Sequence, residues 1–230
     1  MNNFFYNVSV AIPLRQTFTY HSKQKIIPGT RVAVKFGSRS KLGIVTEEIK
    51  ITTIQTKAIH QVLDNEPIFS EVELKILAWA SDYYHHPIGE VLGSFLPTNL
   101  RNIKTVLDDM DSVAKVEIEN NPFQKNLTPQ QTEAVKTLSE LRGFAPTLLY
   151  GVTGSGKTEV YIRCIQEQLL QQKSVLLLAP EIALTPQLEQ RVKDQFGPAV
   201  GMYHSKMTPA KRYKAWKQFR SGEINMMVSN

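Results

Sequence analysis

A chain of 230 residues, 42% hydrophobic and 21% charged, is long enough for two ordinary domains and sits near globular averages, which argues against disorder. No apolar run reaches the roughly 18 residues of a membrane helix, and Met1-Asn2-Asn3 lacks a signal peptide's basic start, so a cytoplasmic protein with no membrane partner is expected. The single cysteine, Cys164, can build neither an internal disulfide nor a zinc site, and the formal charge of +6 suits a polyanionic partner.

That charge is concentrated at the front. Residues 1–50 hold eight basic residues (Arg15, Lys23, Lys25, Arg31, Lys35, Arg39, Lys41, Lys50) against Glu47 and Glu48, so their excess equals that of the whole chain. The same stretch has a period of two. Val8, Val10 and Ile12 alternate with Asn7, Ser9 and Ala11, Phe18 and Tyr20 flank Thr19, and Arg31–Phe36 alternates again after the Pro28-Gly29 turn. Gly37-Ser38-Arg39-Ser40 then turns the chain into Leu42-Gly43-Ile44-Val45. Short strands on tight turns predict a small OB-like barrel, a frequent platform for single-stranded nucleic acid. Phe18, Tyr20 and Phe36 suit base stacking and core packing alike.

The period changes after Phe69. Ser70 and Glu73 form a capping box, and Val72, Ile76, Trp79 and Ala80 make an apolar helical face. Pro87 disfavours helical geometry at His86, so the helix stops before it, and a short second helix from Ile88 to Leu96 closes the module at Pro97. The pair His85-His86 invites a metal, but no third ligand stands near it. Residues 98–125, with Asp108-Asp109-Met110-Asp111, read as a linker between a domain at 1–97 and a second at 126–230.

The second module alternates strand and helix. Thr128 caps a helix begun by Pro129, with Ala134, Val135, Leu138 and Leu141 facing inward. Thr147-Leu148-Leu149-Tyr150 reads as a buried strand leading into Gly151-Val152-Thr153-Gly154-Ser155-Gly156-Lys157-Thr158, followed by a helix with Val160, Tyr161, Ile165 and Leu169 on one side. Strand, glycine-rich loop, Lys-Thr and helix is the order of a P-loop. Glycines let successive N–H groups turn around phosphate oxygens; Lys157 reaches the β- and γ-phosphates and Thr158 offers a hydroxyl to Mg²⁺. Ser174–Ala179 is a near-continuous apolar strand, expected for a parallel sheet covered on both faces. A helix over 186–196, a strand over 199–203, a helix over 209–220 and a strand begun at Ile224 complete a doubly wound α/β layer. The chain stops within that last strand, which predicts a truncated lobe.

Several blocks resemble one family. Ala179-Pro180-Glu181-Ile182-Ala183-Leu184-Thr185-Pro186-Gln187 and Tyr203-His204-Ser205 are similar to motifs of the primosomal, replication-restart helicases of superfamily 2. Asp82-Tyr83-Tyr84-His85-His86-Pro87-Ile88-Gly89 and Val62-Leu63-Asp64 resemble that family's 3′ DNA-binding domain. The resemblance implies an ATP-driven 3′-to-5′ DNA helicase, its 3′ DNA-binding domain followed by a partial RecA-like lobe. It also implies branched or single-stranded DNA, primosome proteins and single-strand-binding protein as partners. On its terms Gly151–Thr158 hold Mg-ATP, with Lys157 and Thr158 catalytic. Gln131 recognises adenine, although it is equally the third helical residue of a capping box begun by Thr128. Phe18, Thr19, Tyr20, Gly37 and Lys57 would hold the terminal base and 3′-hydroxyl of a DNA strand, and Thr185, Gln187, His204 and Ser205 would meet DNA on the helicase lobe. Four departures stand out. Thr19 occupies a position often acidic, residues 98–125 cannot hold the family's winged-helix domain, no Asp-Glu-x-His block occurs, and the zinc of the family has no ligands here. A helicase by family that is catalytically incomplete as this chain is expected; a DNA-fork-binding module with an idle ATP site is the alternative.

Overall fold

The computed structural model describes residues 3–50, 55–105, 107, 126–180 and 186–229. They fall into two compact units, 1–109 and 110–230.

In the first unit, period-two strands close on themselves. β1 (Phe4–Val10), β2 (Phe18–Ser22), β3 (Arg31–Phe36), β4 (Arg39–Ile49) and β5 (Lys57–Val62) form a closed barrel in the order β1-β2-β5-β3-β4. Every pairing is antiparallel except β2 with β5. Alternation puts Tyr6, Val8 and Val10 inside with Tyr20, Val32, Val34 and Val45. Each such buried side chain contributes about 1.5–3 kcal/mol. Two strands exceed what their apolarity announces. β4 runs well past Leu42–Val45 because it pairs with both β1 and β3. β5 has only Ile59 and Val62 partly buried against the core, and exists because the edges of β2 and β3 need a partner.

Two helices cover part of the barrel. α1 (Glu71–Tyr83) starts with the expected capping box: Glu73 N–H donates to Ser70 Oγ at 3.3 Å and Ser70 N–H to Glu73 Oε2 at 2.7 Å. Its apolar face is a correction. Ala80 is buried, together with Leu77, but Val72, Ile76 and Trp79 are 65%, 52% and 58% exposed. α1 packs against the helix that follows it, and its buried side is 77/80, so the 72/76/79 stripe faces solvent. α2 (Ile88–Phe95) comes so close to β1 that a Cβ on Gly89 would lie 1.7 Å from the Val10 carbonyl oxygen. No other residue fits there.

Arg31 and Asp64 close this unit. Arg31 Nε and Nη2 donate to the two Asp64 oxygens at 2.8 and 2.5 Å, and Nη1 donates to the Leu100 carbonyl at 2.6 Å. Both side chains are fully buried. One of the eight front cations is therefore structural and adds nothing to the surface field. The same bonds draw a short 3-10 helix, Thr98–Arg101, onto the unit, with Leu100 fully buried. The front of the expected linker thus packs with the barrel; residues 108–125 lie outside the described residues.

The second unit holds α3 (Pro129–Glu140), α4 (Lys157–Leu170), β6 (Val175–Leu178), α5 (Pro186–Phe196), β7 (Val200–Tyr203), α6 (Pro209–Ser221) and β8 (Met226–Ser229). The three strands make a parallel sheet in the order β6-β8-β7. Met226 and Val228 pack on one face with Ile162, Ile165 and Leu169 of α4 and Val192 and Phe196 of α5. Met227 packs on the other with Ala215 and Phe219 of α6.

Four sequence expectations fail here. Thr147–Tyr150 is not a strand, and Leu148 and Tyr150 are 86% and 89% exposed, because among the described residues no strand pairs with the run. β6 buries Val175 and Leu177 in part but leaves Leu176 and Leu178 exposed, so its sheet face is covered on one side only. On the helices, Ile162 takes the inward place expected of Tyr161, and Leu141 turns outward at the end of α3. Among the described residues, no helix is long and apolar enough to cross a membrane.

Candidate functional site

The glycine-rich loop is built from backbone. Gly154 and Gly156 both take φ of +81°, a left-handed conformation that L side chains rarely adopt. Gly156 is also the N-cap of α4, so the loop runs directly into a helix N-terminus whose free N–H groups and partial positive charge favour an anion. Lys157 Nζ folds back over the loop, donating to the carbonyls of Gly151 and Val152 at 2.6 and 2.9 Å. A Cβ on Gly151 would lie 2.8 Å from Ser155 Oγ, so the loop is as tight as glycine allows. Left-handed glycines leading into a helix N-terminus, with an ammonium beside them, are a set of groups that suits a phosphate.

Gln131 reaches this loop from α3. Its Nε2 donates to the Ser155 carbonyl at 3.0 Å, while its Oε1 accepts from the Thr128 N–H at 2.9 Å. Sequence reasoning offered adenine recognition and helix capping for this residue; the capping box is formed, and the contact with the loop is a third role it missed. A second tie was also missed: Glu159, in the first turn of α4, forms an ion pair with Arg191 of α5. Neither has a sequence signal, since the partners are 24 and 32 positions away.

The residues proposed for a DNA end gather at one end of the barrel. Phe18 and Phe36 meet edge to face with centroids 5.0 Å apart, Gly37 follows with φ of +59°, and Lys57 is the register partner of Tyr20. Tyr20 itself is core: it is 4% exposed, and its hydroxyl donates to the Lys35 carbonyl at 3.1 Å. Burial raises the pKa of that hydroxyl, which keeps it a donor. Thr19 Oγ1 donates to Asn7 Oδ1 at 3.3 Å, and Asn7 Nδ2 donates in turn to Glu47 Oε1 at 2.5 Å. Phe18 and Thr19, both half-buried, and the exposed Gly37 and Lys57 supply the accessible surface of this end.

On the second unit, His204 and Ser205 follow the carboxyl end of β7, where ligands of parallel α/β sheets gather. Gln187 is in the first turn of α5, but its side chain, like Thr185 as a whole, lies outside the described residues. Among the described residues, no cluster of His, Cys, Asp and Glu could hold a metal ion.

Residues 7–97 match the family model of the 3′ DNA-binding domain of PriA, and residues 128–230 match that of DEAD/DEAH box helicases. The replication restart protein PriA of Helicobacter pylori strain J99 is 34% identical over 211 residues, covering 91% of this chain and 31% of the relative. The chain belongs to the PriA family of replication restart proteins. The PriA protein of Haemophilus influenzae is 29% identical over 297 residues, covering 96% of this chain and 41% of that protein. The Rickettsia prowazekii protein is 32% identical over 227 residues, again 96% of this chain but 33% of the relative. This chain therefore spans between 31% and 41% of these curated relatives. The Haemophilus alignment is longer than this chain, so that relative carries residues without a counterpart here.

Proposed function

We propose that this chain provides the DNA-end-binding domain and the nucleotide-binding part of an ATP-dependent 3′-to-5′ DNA helicase acting in replication restart. The observation that carries this reading is the pairing, on one chain, of a 3′ DNA-binding family match with a helicase family match over a glycine-rich loop that runs, with Lys157, into a helix N-terminus. Gly151–Thr158 would hold the triphosphate, with the Thr158 hydroxyl on Mg²⁺, and Gln131 would set the position of the loop beneath it. Mg-ATP supplies the phosphoryl group whose loss drives movement along DNA. Phe18, Thr19, Gly37 and Lys57 would receive a strand's 3′ end, and Thr185, Gln187, His204 and Ser205 would follow the DNA on the helicase lobe. Branched forks, primosome proteins and single-strand-binding protein are the partners that fit this role, in the cytoplasm. We favour domains at 1–97 and 126–230 with no winged helix between them, the start of the intervening stretch, Thr98–Arg101, packing on the first.

A second reading has its own observation. No Asp-Glu-x-His block stands in these 230 residues, so the carboxylates that would complete Mg²⁺ binding are not supplied by this chain. By itself it would then bind DNA and ATP with little turnover. DNA-stimulated ATPase measurements on wild type and Lys157→Ala separate the two. Turnover lost in the variant supports an engine, and DNA binding without turnover supports an incomplete one. Failure to bind either DNA or ATP sinks both.

A further inference from the structure

Beyond the terminal end of the barrel, the seam between β2 and β5 opens into a groove. The two strands share only two register pairs, Tyr20 with Lys57 and His21 with Ala58, after which they diverge. The opening, about 400 Å³, is lined by His21–Gln24 on one side and Ala58–Val62 on the other. It starts one residue past Lys57, so it continues the surface formed by Phe18, Gly37 and Lys57. At about 3.3 Å per strand residue, the run from Lys57 to Gln61 is about 13 Å long.

The lining has one chemical character. Lys23, His21 and His60 are cationic or donor groups, Gln24 and Gln61 add amide N–H groups, and among the described residues no carboxylate lines the groove. Ala58, Ile59 and Val62 supply an apolar floor. The walls are ordered before anything binds. His21 Nδ1 lies 2.8 Å from Thr56 Oγ1, and the Gln24 N–H donates to Ser22 Oγ at 3.1 Å, which presents the exposed Lys23. The chain's acidic barrel residues, Glu47 and Glu48, are on β4, which is not a neighbour of β2 or β5. Donors over an apolar floor, without opposing negative charge, fit phosphate oxygens above and sugar below.

We propose that this groove is a second DNA subsite, holding the phosphodiester backbone that leads away from a strand's 3′ end. The inference rests on the reading that Phe18, Gly37 and Lys57 receive that end. It assigns to Lys23 and His60 a role that the terminal pocket leaves unused.

The test compares a thymidine dinucleotide and a thymidine hexanucleotide, both with free 3′-hydroxyls, titrated against the full chain. Lengthening the ligand is expected to raise the affinity of wild type and steepen its salt dependence, by a slope of about 0.7 for each added phosphate contact. Lys23→Glu with His60→Glu should remove most of that gain at low salt and lower the salt slope by up to about 1.4, as expected for two contacts, and leave dinucleotide affinity and thermal stability unchanged. Lys104→Glu, an exposed site outside the groove, controls for net charge. The proposal is overturned if the double variant keeps the length gain, or if Lys104→Glu costs as much. Lys57→Ala reads the terminal pocket separately: weakening at both lengths supports it. No effect at either length overturns the terminal reading, whereas the length gain alone decides the groove.

Discussion

The side-chain amide of Gln131 joins two loops at once, donating to the Ser155 carbonyl at 3.0 Å and accepting from the Thr128 N–H at 2.9 Å. The contact is close enough that a Cβ on Gly156 would sit 2.3 Å from Gln131 Nε2. The glycine before Lys157 is thus required twice, by its φ of +81° and by this neighbour. Gln131→Ala removes both bonds, each worth about 0.5–1.5 kcal/mol. ATP affinity is expected to fall about tenfold, by nucleotide titration. If the amide also reads adenine, the ATP-over-GTP preference disappears with it; an unchanged preference would confine Gln131 to holding the loop.

Asp64→Ala should be among the most damaging substitutions in the first unit. It leaves the Arg31 guanidinium buried without its carboxylate, a loss of about 3–5 kcal/mol by analogy with other broken buried pairs. Urea unfolding would show it as a lower midpoint. Replacing both residues by apolar ones of similar volume should recover much of the loss, because the remaining charge is gone; failure to recover would mean that the Leu100 and Thr105 carbonyl contacts matter more than the ion pair.

Thr19 is the residue to alter for DNA-end specificity. Its hydroxyl is directed to Asn7, at the start of a chain of contacts that ends on Glu47. Thr19→Asp would set a carboxylate where a 3′-hydroxyl could donate to it. Discrimination between 3′-hydroxyl and 3′-phosphate oligonucleotides is expected to rise severalfold, the hydrogen bond to a charged group being worth about 1.5–3 kcal/mol. Equal binding of the two ends by wild type and variant alike would remove the terminal pocket from consideration.

Cys164 gives a pH prediction. Burial first, and then the charge of Glu167, push its thiol pKa up. The folded state therefore holds this proton more tightly than the unfolded state. Above the unfolded thiol's pKa of about 8.5 the unfolded chain ionises first, so this group's contribution to stability falls as pH rises. Alkylation by iodoacetamide should be slow at pH 7–8 in native protein and fast in urea. A native rate equal to that of an unfolded peptide would contradict the burial.

Local rules carried much of this molecule. The capping boxes at Ser70–Glu73 and Thr128–Gln131 involve residues three apart, and the glycines of 151–156 are needed by their own backbone angles, so a short window of sequence sufficed for each. The period-two pattern of 7–12 and 31–36 likewise announced strands, though the first of them ends at Val10, because alternation needs only the knowledge that one face is buried. What a residue meets across the fold was not legible. β5, with little apolar pattern, is a strand because the barrel must close, while the more apolar Thr147–Tyr150 is not, because among the described residues no strand pairs with it. Arg31 counted as surface charge until Asp64, 33 positions away, met it in the core. Val72, Ile76 and Trp79 formed a helical face by spacing, yet packing chose the adjacent side. The sequence by itself determined the glycine-rich loop and the helix starts, since both are backbone events among neighbours. Only tertiary structure decided which cations are buried, which aromatic rings are accessible and where the barrel seam opens, since those depend on contacts between distant segments.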